Sequence, residues 1–184
     1  MQFTDLQQNL PEPSNDGGCD HLLNASILDI SLPTQNGNFL KLKRLDSFRL
    51  VIYCFPMTGH PERPLPDNWD MIPGAKGCTS QTCSFRDHYD EIIKQNALPI
   101  GLSTQSTEDL KEMTTRLNVS FDVVSDQQLV FSSSLNLPTF SINDKKFIKR
   151  LTLIVDQSVI KHIFYPIYSP DQHIFEVLNW LKNN

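Results

Sequence analysis

The sequence predicts an α/β protein in which a central mixed β-sheet is flanked by helices. Three observations indicate this class. Apolar runs of strand length alternate with segments of helical periodicity, and hairpin signals lie both early and late in the chain. With 184 residues, the chain is long enough for one buried core and short for two. We therefore divide it into a flexible N-terminal extension, residues 1–20, and a single domain, residues 21–184.

The elements before residue 56 begin with a hairpin. Residues 26–32 half alternate between apolar and polar, and 39–42 form a short apolar run after an Asn-Gly pair at Asn36 and Gly37. This arrangement predicts an N-terminal β-hairpin. The following run, 49–55, is continuously β-branched and aromatic, as expected for a strand that is buried on both faces.

A helix is predicted from Thr79 to Asn96, because its apolar residues recur with helical spacing. The rest of the chain alternates between strands and helices. In order, we expect a strand at 98–102, a helix at 108–117, a strand at 121–124, a short helix at 129–135, a hairpin from 140–142 and 147–148, strands at 151–155 and 159–165, and a final helix from Pro170 to about Lys182.

The composition excludes several classes of function. A net charge of −5 provides no basic face, so we expect no nucleic-acid partner. No apolar run approaches the roughly 20 residues of a membrane span, and the first residues lack the pattern of a signal peptide. We therefore expect a cytoplasmic protein with no membrane partner. Four cysteines are too sparse for a disulfide-stapled secreted domain, so a close pair is expected to be redox-active or metal-binding.

One long irregular connection, Pro56–Gly77, is rich in proline and glycine and leads into the predicted helix. Loops of this length in compact domains are usually functional or disordered. The loop delivers Cys78 to the start of the helix, where unpaired backbone N–H groups and the helix dipole favour a thiolate. A thiolate is the nucleophile that attacks a peroxide O–O bond or a disulfide.

The second thiol of the region, Cys83, falls in line with Asp87 and Asp90, so we expect it to face solvent among anionic neighbours. This asymmetry suggests that Cys78 attacks and Cys83 resolves. Positions i and i+5 of an intact helix are roughly 8.7 Å apart at Cα. Because a disulfide needs less than about 7 Å, the two cysteines are expected to bond only when the first helical turn unwinds.

Other interpretations of the sulfur atoms remain open at this point. Cys78 can be a small buried hydrophobe, as most free cysteines are. A metal site would combine Cys78 and Cys83 with His60 or His88, although these spacings scatter ligands around a helix axis, unlike zinc sites. We expect Cys54 to pack in the core and the remaining cysteine, Cys19, to lie in the flexible extension.

Four strings of the sequence carry a resemblance to a known family. YCFP, GCTSQTCSFRD, IGLST and KRLTLIVD occur in the order found in peroxiredoxins, the antioxidant thiol peroxidases with a thioredoxin-like fold. The C-x4-C pair is most similar to the bacterioferritin-comigratory-protein or peroxiredoxin Q subgroup. The resemblance runs from about Ala25 to the C-terminus, and it implies a thioredoxin-like fold for the domain.

The resemblance also implies roles for individual residues. Cys78 matches the peroxidatic cysteine, Cys83 the resolving cysteine, Arg150 the arginine that holds the thiolate, and Pro56 the proline of the active-site motif. The implied reaction reduces hydrogen peroxide or small organic hydroperoxides through a sulfenic acid and a Cys78–Cys83 disulfide. Thioredoxin or a similar dithiol then restores the thiols, with no metal or organic cofactor. We expect a monomer or a weak homodimer.

The chain departs from the P-x3-T-x2-C motif of the family. The loop after Pro56 is expanded, and Ala75 stands where the motif has threonine. Thr58, by folding back, or Thr79 are the candidates for the missing hydroxyl. An alternative function is therefore a redox-sensing or partner-binding protein on a peroxiredoxin scaffold, with weak peroxidase turnover.

Overall fold

A computed structural model describes residues 11–45 and 47–184 of the chain. The strands are β1 (Ser31–Pro33), β2 (Phe39–Lys41), β3 (Arg49–Cys54), β4 (Ala97–Ser103), β5 (Val123–Ser125), β6 (Thr139–Ile142), β7 (Lys145–Ile148), β8 (Leu151–Asp156) and β9 (Val159–Phe164). The α-helices are α1 (Cys78–Asp87), α2 (Tyr89–Lys94), α3 (Thr107–Arg116), α4 (Val130–Ser134) and α5 (His173–Asn183). Short 3-10 turns span Leu42–Leu45 and Trp69–Met71.

A five-stranded sheet in the order β5-β4-β3-β8-β9 forms the centre of the molecule. β3, β4 and β5 run parallel, whereas β8 and β9 are antiparallel to their neighbours. The predicted mixed sheet is confirmed. Its middle strand, β3, has fully buried side chains from Val51 to Cys54, as the continuous apolar run predicts. Both predicted hairpins are also confirmed, as β1–β2 and β6–β7.

Two apolar clusters lie on the two faces of the sheet. One contains Leu22, Ile52 and Leu153, and the other joins Tyr53 to Phe85 of α1 and to the inner face of α5. The Tyr53 and Phe85 rings stack at 4.3 Å between centroids, so α1 is fixed directly to the central strand. No helix among residues 11–45 and 47–184 has the length and apolarity to cross a membrane.

The single helix expected from Thr79 to Asn96 is wrong, because the structure divides it into α1 and α2 at His88. His88 leaves helical geometry, with φ −108° and ψ 18°. Both its backbone N–H and its imidazole Nδ1 contact the Ser84 carbonyl, and its ring packs edge-on against Phe175 of α5. The contacts with Ser84 close the last turn of α1, and the contact with Phe175 is the tertiary one that accompanies the break.

The proposed N-terminal extension is described only from residue 11. Asp16 is anchored, because its carboxylate accepts hydrogen bonds from Lys149 Nζ at 2.6 Å and from the Tyr165 hydroxyl at 2.7 Å. Cys19 is only 5% exposed, and burial raises the pKa of its thiol to about 12. The expectation of a loosely placed Cys19 is therefore wrong, whereas the domain boundary at residue 20 stays a prediction. Cys54 lies in the core, as expected.

One buried histidine makes the stability of the fold depend on pH. His173 Nε2 lies 2.9 Å from Thr152 Oγ1, and Nδ1 lies 3.1 Å from Glu176 Oε2. Burial lowers the pKa of His173 to about 4. An unfolded chain protonates this imidazole below about pH 6.5, whereas the folded chain keeps it neutral down to about pH 4. The free energy of unfolding contributed by His173 therefore falls as the pH falls through this window.

We expect the His173→Gln variant to lose less stability than the parent protein between pH 7 and pH 4. Between pH 7 and pH 4, the free energy of unfolding of the parent should fall by on the order of 3 kcal/mol more than that of the variant. Urea denaturation at several pH values measures this difference, with His60→Gln, at a half-buried position in the expanded loop, as the control. Parallel stability curves for His173→Gln and the parent would contradict the assignment.

Candidate active site

Cys78 is the first residue of α1 and is only 3% exposed, which confirms its predicted place at an inward-facing helix start. Among the residues that the structure describes, no side chain caps this N-terminus, and no acidic residue occupies the first turn. The backbone N–H groups of the first turn therefore lack the capping side chain that usually accepts their hydrogen bonds. A thiolate at Cys78 would lie at the positive end of the helix dipole.

Gly77 gives the chain its sharp approach to Cys78. Its φ of +93° lies in the left-handed region that favours glycine, and a Cβ there would be 2.8 Å from Pro170 Cγ. Pro170 precedes α5, which begins at His173 rather than at the proline as expected. A further bond, from Ser84 Oγ to the Asp171 carbonyl at 2.8 Å, holds α1 against the same segment.

Arg150 brings a buried positive charge to the sulfur. The residue immediately precedes β8 and is 4% exposed, and its Nη2 donates to Cys78 Sγ at 3.2 Å. The same nitrogen donates to the carbonyls of Gly74 at 3.2 Å and Lys76 at 2.7 Å. The guanidinium thus fixes the segment before α1 and also lies where it would stabilise a thiolate.

The surroundings of Cys83 include cations that the sequence pattern did not predict. Its side chain is partly buried rather than exposed, and it interacts with Arg86 and Arg116. Asp87 is the main cause that raises the pKa of Arg86, and Cys83 adds to it through a side-chain hydrogen bond and its charge. Glu112 mainly raises the pKa of Arg116, to which Cys83 also contributes. Arg116 comes from α3, so its approach to Cys83 depends on the tertiary fold.

The two motif residues of the loop, Pro56 and Thr58, lie at the carboxyl ends of β3 and β4. The Pro56 carbonyl accepts a hydrogen bond from Ser103 Oγ at 3.1 Å. Thr58 is buried, and its hydroxyl donates to Gln105 Oε1 at 3.3 Å. Within the described residues, the hydrogen bonds of Cys78 Sγ involve Arg150 and the Ala75 carbonyl, so Thr58 is not brought to the sulfur. The other candidate, Thr79, is exposed.

The expanded loop packs closely on the rest of the domain. Trp69 is 3% exposed, and its ring meets Phe147 of β7 edge-on, with 5.2 Å between centroids. Arg63 forms an ion pair with Asp109 of α3, and Arg116 Nη2 donates to the Gly59 carbonyl at 3.0 Å. The first part of the loop is therefore held by α3, and its middle by the β6–β7 hairpin.

A cavity of about 230 Å³ opens beside Arg150. Its walls are mainly apolar and come from the expanded loop, the N-terminal segment and the chain after β9. They include Pro13, Ile72, Pro73, Phe140, Pro166 and Ile167. An apolar cavity that ends at a guanidinium suits a small molecule with an organic group and a polar end.

One residue of the site had no predicted role. Gln81 of α1 is fully buried, and its Oε1 accepts a hydrogen bond from Arg150 Nη1. Its position three residues after Cys78, on the same helical face, is the only signal in the sequence that could have indicated it. Among the described residues, no group of three histidine, cysteine or acidic side chains is arranged to hold a metal ion.

Comparison with known proteins places the chain in a family. Residues 71–163 match the model of the AhpC/TSA family, and this range contains Cys78, Cys83 and Arg150. The chain belongs to the AhpC/TSA family. The match begins near the end of the expanded loop, so Pro56 and Thr58 lie outside it.

Peroxiredoxins are the curated relatives of this AhpC/TSA protein. It is 27% identical to Peroxiredoxin Bcp of Escherichia coli (strain K12) over 158 residues, which cover 84% of this chain and 91% of the relative. It is 25% identical to the chloroplastic Peroxiredoxin Q of Oryza sativa subsp. japonica over 156 residues, covering 84% of this chain and 64% of the relative. The suspected relationship to the Bcp and peroxiredoxin Q proteins is confirmed.

Solved structures of similar proteins confirm the thioredoxin-like fold. The structure of peroxidoxin BcpB from Mycobacterium tuberculosis matches with a TM-score of 0.72 at 22% identity, covering 88% of this chain and 96% of the other. Peroxiredoxin Q from Xanthomonas campestris matches with a TM-score of 0.70 at 21% identity, covering 88% and 95%.

We expect Gly77→Ala to destabilise the protein by about 2–5 kcal/mol, the sum of the left-handed backbone cost and the clash with Pro170. Gly37→Ala is the matched control, because Gly37 also has a positive φ but nothing within 4 Å of the added Cβ. It should cost only the backbone contribution, about 1–2 kcal/mol. Urea denaturation compares them, and equal losses would show that the contact with Pro170 carries no weight.

Proposed function

We propose that this AhpC/TSA protein is a peroxidase in which Cys78 is the attacking thiolate and Arg150 its electrostatic partner. The class of enzyme, a thiol-dependent peroxidase and oxidoreductase, follows from the family and from the peroxiredoxin relatives. The observation that carries the residue assignment is the 3.2 Å contact between Arg150 Nη2 and Cys78 Sγ at a buried helix start. An adjacent guanidinium and a helix N-terminus both favour the thiolate that the reaction requires.

In the first half-reaction, the Cys78 thiolate attacks one oxygen of the peroxide. An S–O bond forms as the O–O bond breaks, so the sulfur is oxidised by two electrons to a sulfenic acid. The leaving oxygen takes a proton and departs as water or an alcohol. Hydrogen peroxide and small organic hydroperoxides are the proposed substrates, and the apolar cavity beside Arg150 is where an organic group would lie.

In the second half-reaction, Cys83 attacks the Cys78 sulfenic acid and forms a disulfide, with release of water. Both cysteines belong to one unbroken helix, so this bond requires the first turn of α1 to open. The absence of a capping side chain at α1, within the described part of the chain, favours local opening. The arginines around Cys83 would help it to react as a thiolate.

A thiol reductant completes the cycle, and we propose thioredoxin or a similar dithiol. It would attack the Cys78–Cys83 disulfide and restore both thiols. We propose further that the protein acts in the cytoplasm as a monomer or a weak homodimer, without binding nucleic acid or membrane.

A second candidate function is a redox sensor with slow turnover. Two observations favour it: Cys78 is almost fully buried, and Ala75 replaces the threonine of the family motif. The rate at which peroxide oxidises Cys78, followed by stopped-flow fluorescence, separates the two functions. A peroxidase reacts rapidly and turns over with thioredoxin, whereas a sensor reacts slowly or is not recycled.

We expect Cys78→Ser to reduce thioredoxin-dependent peroxide consumption to the rate measured without the protein, because the serine hydroxyl is a far weaker nucleophile than a thiolate. Cys54→Ser is the control, since Cys54 is a core residue of β3 outside the site. The measurement is NADPH oxidation coupled through thioredoxin reductase and thioredoxin. Full turnover by Cys78→Ser would refute the assignment.

Cys83→Ser should separate the two half-reactions. We expect Cys78 to be oxidised once at the parental rate, with the sulfenic acid accumulating because no disulfide can form. A sulfenic-acid probe and intact-protein mass spectrometry detect that species. Appearance of an intramolecular disulfide in Cys83→Ser would instead identify Cys19 or Cys54 as the resolving partner.

A further inference from the structure

The candidate active site lacks the hydroxyl donor of the family motif at its usual position. Breaking an O–O bond places negative charge on the leaving oxygen, and a preorganised donor near that atom stabilises the transition state. The family motif would provide a threonine hydroxyl, but Ala75 occupies its position here and is fully buried. Thr58 donates its hydroxyl to Gln105, and Thr79 faces outward. The side-chain hydroxyl of the family motif is therefore absent from its usual place, and the donors already described near Cys78 are the backbone N–H groups of the first turn of α1 and Arg150.

Buried donors without partners belong to the hydrogen-bond network of Cys78. Within the described residues, the buried side-chain atoms that lack a hydrogen-bond partner are Tyr53 Oη, Gln81 Nε2, Thr82 Oγ1, Thr104 Oγ1 and Arg150 Nε. Arg150 donates hydrogen bonds both to Gln81 and to the sulfur of Cys78. A buried amide N–H group without a partner destabilises the folded state, so its presence in this network requires an explanation.

We propose that the Gln81 side-chain amide is a catalytic hydrogen-bond donor to the leaving oxygen of the peroxide. Its orientation is fixed, because Oε1 must face the donating Nη1 of Arg150, which leaves the NH₂ group turned away from the guanidinium. Gln81 follows Cys78 by three positions in α1, so the two side chains are neighbours on one helical face. This assignment rests on the proposed peroxidase function.

The proposed step assigns a separate task to each group. Arg150 Nη2 holds the thiolate while the sulfur attacks the distal oxygen of the hydroperoxide, R–O–O–H. The sulfur supplies the electron pair of the new S–O bond, the O–O pair moves to the leaving oxygen, and the products are the sulfenic acid and RO⁻. The Gln81 N–H group stabilises RO⁻ until a proton from water converts it to ROH.

Access to the sulfur from the cavity requires a movement. Cys78 is 3% exposed and Gln81 is fully buried, and neither lines the cavity, whereas Arg150 and Gly74 do. Arg150 Nη2 donates to the carbonyls of Gly74 and Lys76. A peroxide that enters from the cavity would therefore have to displace these carbonyls from the guanidinium to reach the sulfur.

The simpler alternative is that Gln81 only positions Arg150 through its carbonyl oxygen. Two substitutions distinguish a donor from an acceptor. Gln81→Glu keeps an acceptor for Arg150 and removes the donor, whereas Gln81→Met removes both. The matched control is Gln35→Glu, because Gln35 is also buried, and its amide bonds the Phe121 carbonyl and the Val123 N–H away from the site.

The experiment measures two reactions of Cys78 in the full-length chain on a Cys83→Ser background. One is oxidation by cumene hydroperoxide under single-turnover conditions, and the other is alkylation by iodoacetamide, which needs a thiolate but no donor to a leaving oxygen. Both rates are taken at the pH plateau where the thiolate is fully formed. Differences in thiol ionisation between the variants therefore do not affect the comparison.

We expect both Gln81 variants to lose about 100-fold in the peroxide rate, the usual effect of removing one such donor. Their alkylation rates should stay at the parental value, and Gln35→Glu should leave both rates unchanged. A parental peroxide rate in Gln81→Glu with a loss in Gln81→Met would overturn the proposal and leave Gln81 a positioning residue. Equal losses in peroxide and alkylation rates would overturn it as well. If the parent chain itself does not react with peroxide, the proposed peroxidase function fails. This outcome differs from a failure of the Gln81 proposal, in which the parent reacts with peroxide.

Discussion

The organisation of the candidate active site depends on the hydrogen bonds that the buried guanidinium of Arg150 donates. Its Nη1 donates to Gln81, and the two hydrogens of Nη2 are shared among four acceptors within 3.5 Å, the carbonyls of Gly74, Ala75 and Lys76 and Cys78 Sγ. Within the described residues it forms no ion pair with a carboxylate. A buried cation compensated only by dipoles is costly, and a thiolate at Cys78 would supply the missing negative charge. The same residue thus holds the end of the loop and lies where it would stabilise a thiolate at Cys78.

The expanded loop is attached so that its added length does not disturb this centre. Its first part is fixed to α3 through Arg63 and Gly59, and its middle is fixed to the β6–β7 hairpin through Trp69. The last residues before α1 are held by Arg150. Insertions in surface loops are tolerated when such contacts offset the modest entropy of closing a longer loop. The expansion also contributes Ile72, Pro73 and Gly74 to the wall of the cavity beside Arg150.

Local patterns in the sequence predicted the sheet, both hairpins and the helix start at Cys78, because these features depend on periodicity and turn chemistry. The pairing of Cys78 with Arg150 came from the resemblance to a family, since no local pattern joins residues so far apart. The break at His88 was not predictable, because it arises from the contact with Phe175 of another helix. The cationic surroundings of Cys83 and the burial of Cys19 likewise depend on distant partners. Gln81 was missed because an isolated glutamine in a polar helical stretch carries no signal before its neighbours are known.

The contact between Gly77 and Pro170 links two segments that are far apart in the chain. The backbone just before the reactive cysteine lies flush against the residue that leads into the C-terminal helix. Space at one position is therefore defined by the side chain at the other. The segment that leads into the C-terminal helix thereby limits the shape of the turn before Cys78, although Pro170 lies 92 positions beyond Cys78 in the chain.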